Sequence, residues 1–364
     1  MREPADIARQ FAAVAPACDF WSARVMRSRA EYLGVTRGVP NPVGLSDDHG
    51  VMVTVHSGGG LGYAATSDVS TSGLARAGRG ALAWAKRAAG RMVSELPPRS
   101  AGAVHHDQDE VPRIPWSTVS RGEKMARLRD LAGHLKRDAR IADWSSSLSF
   151  TDEETVVATS AGDFIRQRRG IVVPDLVASA SNGTETQTRT FGRGGVIRQG
   201  GLDVLDDLGF WGAAPRIADE ALELLLAPDC PTGVMALLLA PDQMYIQIHE
   251  SIGHPLELDR ILGDERNYAG TSFVTLDMFG SYRYGSDILN VIFDPAVAGQ
   301  AASYAFDDDG VRAERQFLIR NGILQKPLGG AFSQARANAA GVANVRACNW
   351  NRPAIDRMAN LNIE

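Results

Sequence analysis

The stretch Ile246-Gln247-Ile248-His249-Glu250-Ser251-Ile252-Gly253-His254-Pro255-Leu256-Glu257 sets the terms for the whole chain. Two histidines stand five apart, and a glutamate follows the first. An imidazole pair with an adjacent carboxylate is the grammar of a hydrolytic metal site, but the common form spaces its histidines four apart on one helical face. At about 100° per residue, five residues turn a regular α-helix through about 500° and leave the second ring about 140° from the first. One ion cannot be reached by both across an undistorted helix. Two remedies exist. A π-bulge makes residues five apart neighbours, or the helix ends at Gly253. Pro255 favours the second: the residue before a proline is pushed out of the α region, so His254 is expected on a breaking turn, with Gly253 supplying its freedom.

If His249 and His254 hold a metal, Glu250 is the natural general base for activating water at a carbonyl. Imidazole ligands and hydrolytic chemistry favour zinc, with other divalent ions open. A hydrolytic zinc takes a third protein ligand. Glu257 and Asp259 are near enough in sequence to serve as that ligand or to support one, and Cys348 is a distant candidate. A purely structural pair of histidines is the competing reading.

The remaining composition excludes several other functions. The 364 residues suffice for two or three domains and a sizeable core. A net charge of −5 offers no basic field for nucleic acid or an anionic membrane. Cys18, Cys230 and Cys348 are scattered and odd in number, so no disulfide framework is expected and a reducing cytoplasm is the default. The N-terminus lacks the apolar run of a signal peptide, and no stretch has the length of a membrane span.

An α+β fold in three regions is expected. Residues 1–95 read as a small N-terminal α/β unit: a helix over 5–14, a strand over 20–35, a hairpin of 51–56 and 61–66 turned by Gly58-Gly59-Gly60, and a helix from Ser70 or Thr71 to about 89. The Pro-rich, polar stretch 96–115 reads as a linker, which makes the His105-His106 pair solvated rather than metal-binding. Residues 116–228 read as a helix plus an antiparallel meander. The helix opens on the capping box Ser120–Glu123 and runs to about 140, with Met125, Leu128, Leu131 and Leu135 inward. The strands cover 144–150, 155–160, 164–173, 176–181 and 184–191, with turns at Thr151-Asp152, 161–163, 181–183 and 192–195, and a further helix covers 217–226. Residues 229–364 read as a β-rich domain around the histidine motif. Its strands are expected at 233–240, 271–278, 288–293 and 317–319, with an acidic turn at 306–310 that lacks the ligand spacing of a calcium loop.

The wider text resembles the TldD/PmbA (TldE) family of metallopeptidases. The signature His249-Glu250-Ser251-Ile252-Gly253-His254-Pro255-Leu256-Glu257 carries the resemblance. It is joined by the hairpin of residues 51–68, the segment 306–324 with its Asp-Asp-Asp-Gly, and Arg357-Met358-Ala359-Asn360. The resemblance implies a cytosolic zinc peptidase acting on unstructured peptides, with zinc on His249 and His254 and Glu250 as base. It implies a two-member complex of a TldD-type catalytic subunit, which this chain is similar to, and a TldE-like paralogue; a self-dimer is the other form. It also implies a metal-binding cysteine downstream of the segment matched by residues 357–360. Cys348 precedes that segment, so a truncated chain is expected, its third ligand lying beyond residue 364. The alternative is a non-catalytic binding or scaffold subunit of such a complex.

Overall fold

The computed structural model describes residues 2–95, 103–192 and 196–364. Residues 96–102 of the expected linker and 193–195 of the expected glycine turn lie outside the described residues. The fold is α+β.

Helix α1 (Pro4–Val14) lays Ile7 and Phe11 against the first strands. The strands β1 (Phe20–Thr36), β2 (Val39–Pro40), β3 (Gly44–Ser57) and β4 (Gly60–Thr66) follow. Gly58 and Gly59 take φ of 58° and 77° at the β3–β4 turn, a conformation open to glycine at little cost. Helix α2 (Thr71–Ala88) starts where the Ser70 side chain accepts from the Gly73 N–H. Residues 105–109, expected in the linker, form β5 (His105–Asp109). Helix α3 (Arg121–Leu135) carries the capping box in full and buries Leu128, Leu131 and Leu135, but it ends five residues before the expected 140.

The expected turns at 161–163 and 181–183 separate the strands, but two expected breaks in the meander are absent. Strand β6 (Ile141–Thr159) runs straight through Thr151-Asp152, and β7 (Phe164–Ser181) runs through Pro174. The acidic run that resembles a turn is a cross-strand charge ladder: Asp152 pairs with Arg168 at 2.8 Å and with Arg29, Glu153 with Arg169, and Glu154 with Arg166 at 2.7 Å. Pro174 sits between the part of β7 that pairs with β9 (Arg198–Gln199) and the part that pairs with β8 (Thr186–Thr190), where its missing N–H breaks no ladder bond. These strands form one sheet in the order β4-β3-β1-β6-β7-β5, antiparallel except for β5 on β7. The strands of the first and second expected regions therefore share a sheet. Helices α4 (Asp203–Asp207) and α5 (Ala214–Leu224) follow, and α5 packs Ile217 and Ala221 into the same core as Leu128 and Leu176.

The last region is built from short pieces. Helix α6 (Pro241–Ile248) leads into the histidine motif and α7 (Leu258–Leu262) follows it. Strands β10 (Val291–Phe293), β11 (Gln316–Arg320) and β12 (Ile323–Leu324) precede α8 (Ala331–Ala337), and β13 (Val345–Arg346), β14 (Ile355–Asp356) and β15 (Leu361–Ile363) complete it. A four-stranded sheet has the order β12-β11-β10-β15, and β13 pairs with β14. Two expected strands are not formed. Residues 233–240 are irregular and exposed, with Val234 and Leu238 fully open to solvent; an apolar run becomes a strand only against a sheet edge. Residues 271–275 are irregular, where the Ser272 hydroxyl donates to the Pro255 carbonyl and accepts the Val274 N–H, and Leu276–Met278 forms a single 3-10 turn. Segment 306–310 is the expected turn, with the Asp307 carboxylate accepting from the N–H groups of Asp309 and Val311. The region is seated on the large sheet by Gln167, whose amide bonds Phe306 in both directions, and by Trp350, which donates to Asp48 at 3.0 Å.

Candidate metal centre

The five-residue spacing is resolved within the helix. After α6 the backbone widens over His249–Gly253, and the His254 N–H reaches back five residues to the His249 carbonyl. That single wide turn makes residues five apart neighbours. The two imidazole rings come to 4.5 Å between centroids at an interplanar angle of 85°. Ligand atoms of His249, Glu250 and His254 lie within 4.8 Å of one another, the only such group among the described residues. The expectation that Pro255 forces His254 out of the α region is overturned: His254 has φ −59° and ψ −42°.

Two contacts from distant residues hold this geometry. Pro255 has no N–H to offer the carbonyl four residues before it, that of Ser251. The Tyr284 hydroxyl supplies the missing donor. Gly253, with an ordinary φ of −58°, is required for a different reason than turn freedom. A Cβ there would lie 2.3 Å from Met358 Sδ, so any larger residue has to displace the Met358 side chain.

Glu257 stands directly behind His254. Its Oε2 lies 2.8 Å from His254 Nδ1. A carboxylate only accepts, so Nδ1 carries the proton and Nε2 is left as the lone-pair donor. Glu257 is 1 % exposed, and its oxygens also accept from Arg260 Nε at 2.6 Å and from the Met358 N–H at 3.1 Å. With its oxygens so engaged it falls outside the converging donor group, as do Asp259 and the exposed Cys348. Burial, and then the neighbouring His254, hold the His249 imidazole below its usual pKa. Both effects favour the neutral ring, the form that binds a metal. Two neutral imidazoles beside a carboxylate fit a divalent ion of zinc type. Behind this layer lie two more carboxyls. Burial, with Asp356 as the next cause, pushes Asp259 up to about 8, and burial raises Asp356 to about 6. Asp356 accepts the Asp259 N–H at 3.1 Å and the Gly330 N–H at 2.8 Å.

His249 opens onto a cavity of about 1130 Å³. One wall comes from β9 and its flanking residues 197 and 200 in the central region, the other from segments 297–302 and 357–361. Reading of the sequence alone missed Tyr284, Arg260 and Met358 as supports. Pro255 signals that some donor must reach Ser251, without saying which.

The site is thus a His–Glu–His donor set on a widened helix. The chain belongs to the PmbA/TldD metallopeptidase family: domain 1 of that family matches residues 21–85, its central domain 114–227 and its C-terminal domain 232–364. A metalloprotease of Methanocaldococcus jannaschii is 35% identical over 146 residues, covering 40% of this chain and 30% of that protein. A metalloprotease of Methanothermobacter thermautotrophicus is 27% identical over 248 residues, covering 68% of this chain and 51% of that protein. A protein named zinc metalloprotease TldD homolog, of Saccharolobus solfataricus, is 29% identical over 129 residues, 35% of this chain and 27% of that protein. This chain thus spans at most about half the length of these relatives. Its fold is that of TldE from Thermococcus kodakarensis, with a TM-score of 0.70 at 14% identity over 99% of this chain and 77% of that one. No helix among the described residues is long and apolar enough to cross a membrane.

Proposed function

We propose that this chain is a zinc-dependent peptidase acting on unstructured peptides, the catalytic member of a TldD/TldE-like pair in the cytoplasm. The observation that carries the proposal is the convergence of His249, Glu250 and His254 across a spacing that a regular helix would hold apart. His249 and His254 hold the ion. When bound, it supplies Lewis acidity to the scissile carbonyl and to water. Glu250, adjacent and exposed, takes the proton of the attacking water and passes it to the leaving amine. Glu257 keeps His254 in the tautomer that presents Nε2. The cavity beside His249 accepts an extended chain, which suits a substrate without fold.

The test is Glu250→Gln in the zinc-loaded protein. Zinc content stays at the wild-type level, and cleavage of an unfolded peptide falls by about 10²–10⁴-fold. Unchanged cleavage would show that Glu250 is not the base. A non-catalytic scaffold subunit is a second reading, favoured by one observation: among the described residues the donor group holds two imidazoles and Glu250, and no third ligand apart from that base. Failure of the wild-type chain to retain zinc through dialysis would favour it.

A further inference from the structure

Two arginines share the wall of the cavity onto which His249 opens. Arg346 ends β13, and Arg357 follows β14. Val345 pairs with Asp356 and Arg346 with Ile355. The Arg357 N–H continues the pairing by donating to the Asn344 carbonyl at 3.2 Å. In that register Arg346 and Arg357 are diagonal neighbours on one face of the ladder. Neither has a carboxylate within ion-pair distance among the described residues, whereas Arg113 on the opposite wall is held by Asp207 at 2.8 Å. Arg346 gives one N–H to the Met358 carbonyl at 2.6 Å, while its buried Nε finds no protein acceptor. Arg357 lines the same cavity as His249. Two guanidiniums side by side in a partly buried wall repel each other, and an anion between them and the donor group relieves that repulsion. Guanidiniums match carboxylates in shape and hydrogen-bonding pattern.

We propose that Arg357, backed by Arg346, is a specificity subsite that receives a carboxylate of the bound peptide beside the metal centre. The proposal rests on the peptidase reading above and adds a class of substrate to it: peptides with a free carboxylate near the cleaved bond. That carboxylate belongs either to the C-terminus or to an Asp or Glu side chain.

Fluorescently labelled unstructured peptides of one sequence test this by anisotropy, with zinc present, on the full chain. Three forms are compared: free C-terminal acid, C-terminal amide, and the acid with its Asp and Glu residues changed to Asn and Gln. Loss of one charge-assisted contact weakens binding by about 10-fold. Weakening on amidation assigns the subsite to the C-terminus, and weakening on side-chain neutralisation assigns it to acidic residues. In Arg357→Ala the preference disappears while binding of the form that lacks the recognised carboxylate is kept; in Arg357→Lys part of the preference remains. Equal binding of all three forms by the wild-type chain, or an undiminished preference in Arg357→Ala, overturns the proposal. The wild-type comparison needs no variant to fold. Binding is read at mixing, before turnover, and cleavage of the same peptides is followed afterwards; a preference with no cleavage would defeat the peptidase reading and leave the subsite standing.

Discussion

His254 and His249 reach one point from opposite kinds of ground. His254 is backed by Glu257, itself fixed by the Arg260 guanidinium and the Met358 N–H in a buried pocket. His249 and Glu250 follow α6, a helix with no buried residue, preceded by the exposed run 233–240. One donor is held in place before any ligand arrives; the other two stand on a support with little packing of its own. The difference separates the two jobs of such a site. Orientation is built into the interior, and adjustment is left to the side that faces the cavity.

The comparison breaks first at Glu257. Glu257→Ala strands Arg260 without its carboxylate and costs about 3–5 kcal/mol. His249→Ala, on the weakly packed side, changes the stability of the metal-free chain by no more than about 0.5 kcal/mol. Chemical denaturation of both variants measures the contrast, and equal losses would erase the distinction. Gly253→Ala comes next. Its methyl meets Met358 Sδ and costs about 1–3 kcal/mol. Adding Met358→Ala should make the pair less harmful than the sum of its parts, since the two share one contact. A pH series sharpens the anchored side. The Asp259 carboxyl titrates near 8 when folded and in its ordinary low range when unfolded. The folded state therefore binds more protons between those values, and stability falls as pH rises from about 4 to about 8. Asp259→Asn removes this fall, raising the melting temperature at pH 8 by about 2 °C or more and leaving it nearly unchanged at pH 4. A gain of the same size at both values would mean that the charge is not the cause.

The donor residues were legible because their chemistry is local: His249, Glu250 and His254 announce themselves by type and spacing. How the chain brings them together was not. Steric rules around Pro255 argue for a broken turn, and they cannot register that Tyr284, far along the chain, completes the bonding of Ser251. Strand boundaries failed for a related reason. Thr151-Asp152 looks like a turn until the arginine partners of Asp152 on neighbouring strands are in view. Residues 233–240 look like a strand until the lack of an edge is. The α+β class survived these errors because it depends on the alternation of β1, β3, β6 and β7 and on the capped helices, signals carried within each segment. Arg346 and Arg357 become a pair only through the register of β13 and β14, which nothing in the intervening residues specifies.

The wide turn at 249–253 also has a kinetic meaning. To shift such a turn by one residue, a helix must exchange one backbone hydrogen bond for another, so the shift needs a free donor at the next position. Here it is pinned at both levels. Pro255 withholds the donor that the next step would need, and Gly253 is wedged under Met358. The surplus residue cannot be passed on toward α7, so the wide turn stays between the two histidines on that side, and whatever adjustment His249 makes comes from α6.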